Sequence, residues 1–213
     1  MKIKTIIFDL DGTIADTLPL CIAAFKKSIE PILNKEISDE EIMATFGPSE
    51  EGTIRKLIPA QEEEGVKQYL QHYQQLHYRC PVAFDGIADL LNFLSSKGIQ
   101  LAMVTGKGIH STRISLNQFD LEKYFEILET GSPNGPNKVA GIKNVLNKLN
   151  ADINESIYVG DAPSDIKYCK EIGIPIAAAA WAETTNAEEL KSLNPDWLFY
   201  TVSDFKTWLS NHL

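Results

Sequence analysis

Residues 3–13 read IKTIIFDLDGT, an apolar run that stops at two acids and a glycine. Residues 3–8 are rich in β-branched side chains and too few for a typical helix, which predicts a buried strand. Asp9 and Asp11 are two positions apart, so an extended chain points both side chains to one face. Gly12 then allows a tight turn. The segment therefore predicts a strand whose carboxyl end carries two carboxylates.

The rest of the chain divides into a helical stretch and an alternating stretch. Residues 16–80 have helical patterns, with Asp16 or Thr17 as a possible cap before Pro19 and with Ser38 and Glu41 at capping-box spacing. Beyond Pro81, strands are predicted near 99–104, 126–129, 156–159, 174–178 and 197–199, separated by helices near 85–97, 109–117, 137–149 and 163–172, with a last helix at the end. Alternation of this kind predicts a parallel sheet. We therefore expect an α/β core of residues 1–15 and 81–213 with a helical cap of residues 16–80 inserted after strand one.

The charge and cysteine content disfavour several classes of protein. The formal net charge is -9, which disfavours binding of nucleic acid through its phosphates. The sequence has no segment that reads as a signal peptide or membrane span. Cys21, Cys80 and Cys169 are widely spaced and match no metal-ligand pattern, which favours reduced thiols and a reducing compartment. We expect a cytoplasmic protein without nucleic-acid or membrane partners, and a monomer is favoured.

Polar residues follow several predicted strands. Asp161 and Asp165 follow the strand near 156–159, and Thr105 and Gly106 follow the strand near 99–104. Open parallel sheets build sites beyond the carboxyl ends of their strands, so these residues are expected to meet Asp9. Carboxylates that share a pocket repel one another unless a cation lies among them, and oxygen ligands alone favour Mg²⁺.

The remaining candidates suit an anion. The Thr105 hydroxyl and the backbone N–H groups beside Gly106 precede a helix, where phosphate oxygens bind readily. Lys138 begins a predicted helix, where the dipole disfavours a cation, so a functional demand is indicated. Taken singly, Thr105 could be a helix cap, Asp165 a first-turn acid and Lys138 a solvated lysine.

Four motifs in order resemble those of the haloacid dehalogenase superfamily of phosphohydrolases. They are Asp9-Leu10-Asp11-Gly12-Thr13, then Val104-Thr105, then Lys138, then Gly160-Asp161 through Asp165. The helical insertion is similar to the cap of phosphoglycolate-phosphatase-like members. That subgroup often has Lys-Pro-x-Pro at its third motif, whereas this chain has Pro136-Asn137-Lys138-Val139. The resemblance implies a Rossmann-like parallel core with a helical cap.

The resemblance also implies roles for the motif residues. Asp9 would be the nucleophile that forms an aspartyl-phosphate, and Asp11 the general acid and base. Thr105, Lys138 and Gly106 would hold the phosphate oxygens. The Mg²⁺ ligands would be Asp9, the main-chain carbonyl of Asp11, Asp161 and Asp165, and further substrate contacts are expected from Gly12 and Thr13.

Specificity is expected from the cap. The loop of residues 46–52 lies between predicted helices and is expected to reach the site. Arg55 is a candidate contact to an anionic substrate, although its position on a predicted helix favours a solvated surface residue. His72, Tyr73 and His77 lie on a polar helix and are expected at the surface.

The implied function is magnesium-dependent hydrolysis of a small phosphorylated metabolite, a phosphomonoester. A phosphosugar mutase, a pyrophosphatase and a nucleotidase remain alternatives within the superfamily, as does a non-catalytic binder on the same fold. Asp11 argues against dehalogenase and P-type ATPase chemistry, because neither needs an acid at that position.

Overall fold

A computed structural model describes residues 2–213. The strands are β1 Thr5–Phe8, β2 Gln100–Val104, β3 Ile127–Glu129, β4 Ser156–Gly160, β5 Ile176–Ala179 and β6 Trp197–Phe199. They form one sheet in the order β3-β2-β1-β4-β5-β6, with every pairing parallel. The helices are α1 Leu18–Leu33, α2 Asp39–Met43, α3 Glu50–Leu57, α4 Glu62–Leu76, α5 Ile87–Ser96, α6 Ile109–Gln118, α7 Lys138–Leu149, α8 Pro163–Ile172, α9 Ala187–Ser192 and α10 Val202–Ser210.

Strand β1 is central and entirely buried. Phe8, its last residue, is in register with Met103 of β2 and Val159 of β4. The chain runs outward from β1 through β2 and β3, then returns to the other side of β1 with β4. That reversal of direction leaves a crevice beyond the strand ends, where open α/β sheets bind ligands.

The two faces of the sheet bury different layers. Ile6 and Phe8 pack into a cluster with α5 and α10, whereas Ile7 packs on the opposite side with residues of α7 and α8. Because successive side chains of a strand point to opposite faces, a continuous apolar run is what a doubly covered strand requires. The predicted α/β class with a parallel sheet, and with helices inserted after β1, is confirmed.

Helices α1 to α4 share an apolar cluster of their own. Helices α1 and α4 pack against each other, and the rings of Phe25 and Tyr69 lie 4.4 Å apart between their centroids. The capping box of Ser38 and Glu41 is present at the start of α2. The boundaries of a cap at residues 16–80 and a core at 1–15 and 81–213 stay a prediction.

Some local predictions were wrong. Thr17 occupies the N-cap position of α1, but its hydroxyl donates to Asp11 rather than capping the helix. Tyr73 and His77 are buried instead of exposed, because α4 packs its aromatic face against α1 and against Ser115 of α6. Helix α9 was not predicted. None of the helices of residues 2–213 combines the length and apolar character that a bilayer crossing requires.

Candidate active site

Three carboxylates meet beyond the ends of β1 and β4. Asp9 follows β1, Asp161 follows β4, and Asp165 lies in the first turn of α8. Each offers one oxygen, and the three oxygens lie within 4.8 Å of one another. The structure thus brings together side chains about 150 residues apart in the chain, as the strand-end argument predicted.

Gly12 makes this close approach possible. Its φ is +73°, a conformation that side chains other than hydrogen rarely adopt, and a Cβ there would overlap the Asp161 carboxylate. The Thr13 hydroxyl donates to Asp161 Oδ1 at 3.1 Å. Gly12 and Thr13 therefore help to position Asp161, and neither lines the cavity described below. Their contact with substrate stays a prediction.

Lys138 lies between two of the acids. Its Nζ is 2.6 Å from Asp9 Oδ2 and 2.6 Å from Asp165 Oδ1, and it is largely buried. The second oxygen of Asp9 accepts a hydrogen bond from the Leu10 N–H at 2.7 Å. Lys138 is the first residue of α7, where the helix dipole disfavours a cation. The two ion pairs offset this unfavourable interaction.

The cluster contains more carboxylates than cations. Burial raises the pKa of Asp9 to about 6, with Lys138 opposing the rise and Asp165 adding to it. Burial, reinforced by Asp9 and Asp165, raises the pKa of Asp161 well above its usual value. One lysine thus faces three acids. A hard divalent cation such as Mg²⁺ fits this set, because all the donors are carboxylate oxygens.

Asp11 belongs to the cavity but not to the three-carboxylate cluster. Its Oδ1 accepts from the Thr17 hydroxyl and lies 3.2 Å from the Nζ of Lys107. The side chain is therefore held beside Asp9 while remaining outside the group of oxygens that could share an ion. This separation is compatible with the implied division between a side chain that moves protons and a main-chain carbonyl that ligates metal.

Thr105 and Gly106 form the next part of the cavity wall. Thr105 is buried, and its Oγ1 accepts from the Lys107 N–H at 3.2 Å. The Gly106 N–H donates to no other group within residues 2–213. It is thus a free donor at the edge where an anion would approach Asp9.

The helices inserted after β1 close the cavity from the opposite side. Its volume is about 240 Å³. The apolar side chains on this side are those of Leu18, Phe25, Phe46, Pro48 and Tyr69. The loop of residues 46–52 therefore does reach the site. We call the wall formed by the strand ends the floor, and the wall formed by these side chains together with Glu50 the roof.

Arg55 is not brought to the cavity. Its guanidinium forms a bidentate pair with Glu62, at 2.9 Å for both nitrogens, and approaches Asn134. Arg55 and Glu62 are seven residues apart at the facing ends of α3 and α4, which places the pair on the outer surface. The predicted contact of Arg55 with substrate therefore has no geometric support.

Two charged residues of the cavity were missed from the sequence. Lys107 is buried, with its Nζ 2.9 Å from Cys21 Sγ and 4.7 Å from the centre of the Tyr73 ring. Burial lowers its pKa, but Asp11 and its other neighbours together raise the pKa well above the usual value.

Glu50 is also buried, at the first residue of α3. Its carboxylate accepts from the Gly108 N–H at 2.6 Å and from the Ser111 hydroxyl, both at the start of α6. Burial raises the pKa of Glu50, although Lys107, Ser111 and Gly108 each favour its ionised form. Two features of the sequence could have indicated these residues. Lys107 lies in the turn after β2, and Glu50 lies in the loop that was already expected to reach the site.

Known proteins are similar to this chain in sequence and in fold. The family model of haloacid dehalogenase-like hydrolases matches residues 6–179. The pyrophosphatase PpaX of Listeria innocua is 30% identical over 207 residues, which cover 95% of this chain and 94% of that protein. The pyrophosphatase PpaX of Bacillus pumilus is 29% identical over 204 residues, with coverages of 95% and 94%.

A haloacid dehalogenase-like family hydrolase from Streptococcus pneumoniae is similar in structure. The TM-score is 0.77 at 25% identity, and the match covers 97% of this chain and 98% of that one.

Proposed function

We propose that this chain, which belongs to the haloacid dehalogenase-like hydrolase family, hydrolyses a small phosphomonoester with Asp9 as a covalent nucleophile. One observation carries the proposal: the Asp9 carboxylate lies within hydrogen-bond distance of Lys138 and beside Asp161 and Asp165. A carboxylate that must approach an anionic phosphate needs positive charge around it, and Lys138 supplies such a charge next to Asp9.

In the first step, an Asp9 oxygen forms a bond to phosphorus while the bond from phosphorus to the leaving oxygen breaks. Asp11 donates a proton to that oxygen, so the product leaves as an alcohol. In the second step, Asp11 takes a proton from water, whose oxygen attacks phosphorus and releases inorganic phosphate and Asp9. Asp11 lines the same cavity as Asp9, which suits both transfers.

The phosphate oxygens would be held by groups of the floor. Lys138, Thr105 and Gly106 line the same cavity as Asp9, and the Gly106 N–H has no partner within residues 2–213. Negative charge spreads over these oxygens in the transition state, so fixed donors there stabilise it.

Mg²⁺ would be held by Asp9, Asp161 and Asp165 together with the main-chain carbonyl of Asp11. When bound, it supplies the positive charge that lowers the repulsion between the Asp9 carboxylate and an incoming phosphate.

The test is release of inorganic phosphate from phenyl phosphate by the purified protein, with Mg²⁺ and after chelation. We expect turnover only with Mg²⁺, and a phosphate recovered on the peptide containing Asp9 when the reaction is quenched in acid. Steady turnover with a phosphate on no residue, or on a residue other than Asp9, would refute the covalent step. If no substrate releases phosphate in a Mg²⁺-dependent way, the protein is instead a non-catalytic binder on the same fold.

Pyrophosphate is a second candidate substrate, because relatives at about 30% identity carry the name pyrophosphatase. The same phosphate assay separates the two candidates when pyrophosphate and phenyl phosphate are compared at equal concentrations. The higher kcat/KM identifies the preferred substrate class.

A further inference from the structure

The roof and the floor of the cavity differ in charge. The roof has one carboxylate, that of Glu50. Its other side chains are aliphatic or aromatic, namely those of Leu18, Phe25, Phe46, Pro48 and Tyr69. A phosphate bound at Asp9 directs the rest of the substrate away from the strand ends, and therefore toward this roof. The chemistry of the roof thus bears on the leaving group rather than on the phosphate.

Glu50 is fixed in place by the core. Its carboxylate accepts hydrogen bonds from the Gly108 N–H and the Ser111 hydroxyl, so both oxygens are bound to donors of α6 and its preceding residue. Gly108 leaves the room for this contact, because a Cβ at that position would lie 2.7 Å from Glu50 Oε1. The start of α6, which would otherwise favour an anion of the substrate, is already occupied by an anion of the protein.

The two lysines of the cavity are also occupied. Lys138 pairs with Asp9 and Asp165 on the floor, and Lys107 pairs with Asp11. Among the residues of the described chain that line the cavity, these are the two cations, and Arg55 points elsewhere. A second anionic group at the far end of a substrate would therefore face Glu50 and apolar surface, and the roof as defined above contains no cation to pair with it. Desolvating an unpaired anion is costly.

We propose that the leaving group is an uncharged, largely apolar alcohol, and that the roof rejects substrates carrying a second phosphate or a carboxylate. This inference rests on the proposed phosphatase function and names its substrate class.

The experiment compares 4-methylphenyl phosphate with 4-carboxyphenyl phosphate, two esters that differ in one group at the far end of the ring. The carboxylate makes the phenol a better leaving group, so intrinsic reactivity favours the charged ester and a preference for the methyl ester must come from the protein. With Mg²⁺ present, we expect kcat/KM to be at least about tenfold higher for the methyl ester. The reason is that the substrate carboxylate and Glu50 repel each other strongly where little water screens their charges. Pyrophosphate is expected to be at least as poor as the carboxylated ester.

Variants trace the preference to Glu50. Glu50→Gln keeps the shape and removes the charge, so the ratio of the two kcat/KM values should fall several-fold even if both values drop. Glu64→Gln, on the exposed side of α4, removes the same charge from the same group of helices and should leave the ratio unchanged. Gly108→Ala pushes the Glu50 carboxylate away from α6 without changing charge and should also alter the ratio.

The outcomes are separable. Equal or better turnover of the carboxylated ester or of pyrophosphate overturns the inference and leaves the phosphatase proposal intact. An unchanged ratio in Glu50→Gln overturns the role given to Glu50. Absence of Mg²⁺-dependent phosphate release from all three compounds means that the phosphatase proposal itself has failed, and the inference fails with it.

Discussion

The floor and the roof of the cavity are built by opposite physical rules. On the floor, Lys138 forms ion pairs of 2.6 Å with Asp9 and Asp165, and Asp161 lies beside them. Each of these residues is placed by a strand end or a first helical turn. On the roof, rings such as those of Phe25 and Tyr69 make apolar contacts, which depend on packing and burial rather than on charge. The difference teaches that the reaction and the choice of substrate are separable here. Changes to the floor should lower kcat, and changes to the roof should alter KM and selectivity.

Replacement of Asp9 is the strongest way to test the floor. We expect Asp9→Asn to lower kcat by at least about a thousandfold, because the amide is a poor nucleophile toward phosphorus. Single-turnover phosphate release measures the loss, and circular dichroism checks that the fold is intact. Retention of near-normal turnover would end the proposed role of Asp9.

Lys138 offers the next largest effect. We expect Lys138→Met to lower kcat about a hundredfold, since one fixed charge beside the reacting carboxylate is removed. Lys143→Met is the matched control, because Lys143 is an exposed residue of the same helix α7. Equal losses in the two variants would show that the helix rather than the charge is responsible.

The acidic cluster predicts a stability that depends on Mg²⁺ and pH together. The pKa of Asp9 is raised in the folded state to about 6, so without metal its contribution to stability increases as pH falls through that value toward the unfolded value of 3.8. A bound cation requires the ionised form. Saturating Mg²⁺ should therefore raise Tm on the order of 5 °C at about pH 7.5 and much less at about pH 5.

Thermal denaturation with and without Mg²⁺ measures this shift. Asp161→Asn should remove most of it at the higher pH, because one of the three clustered carboxylates is lost. Shifts of the same size at both pH values would contradict the link between the Asp9 pKa and metal binding.

The roof predicts the smallest effect. Phe46→Ala should raise KM for an aromatic phosphate roughly three- to tenfold and leave kcat nearly unchanged, because it removes apolar contact without touching the reacting groups. Met43→Ala serves as the control, since Met43 has the same 39% exposure but does not line the cavity. A large fall in kcat for Phe46→Ala would show that roof and floor are not separable.

The sequence predicted most of the floor and little of the roof. Asp9, Asp161 and Asp165 were predicted to meet because each follows an apolar strand, and parallel strands end at one edge of the sheet. Gly12 was predicted as a turn, but its close contact with Asp161 depends on the neighbouring strand and appears only in the folded chain. Arg55 was predicted as a substrate contact from its charge alone, and its partner Glu62 satisfies that charge at the surface.

By itself, the sequence predicted the α/β class and all of the strands and helices except α9, because apolar periodicity is a local signal. Its resemblance to the family implied the residues of the proposed reaction. Only the tertiary structure decided that Lys107 is buried against Cys21 and Tyr73, and that Glu50 binds the start of α6. Those contacts join residues about 30 to 90 positions apart in the chain. Their net free energy is the balance between the cost of desolvating charged groups and the gain from pairing them, and no single segment of the chain records that balance.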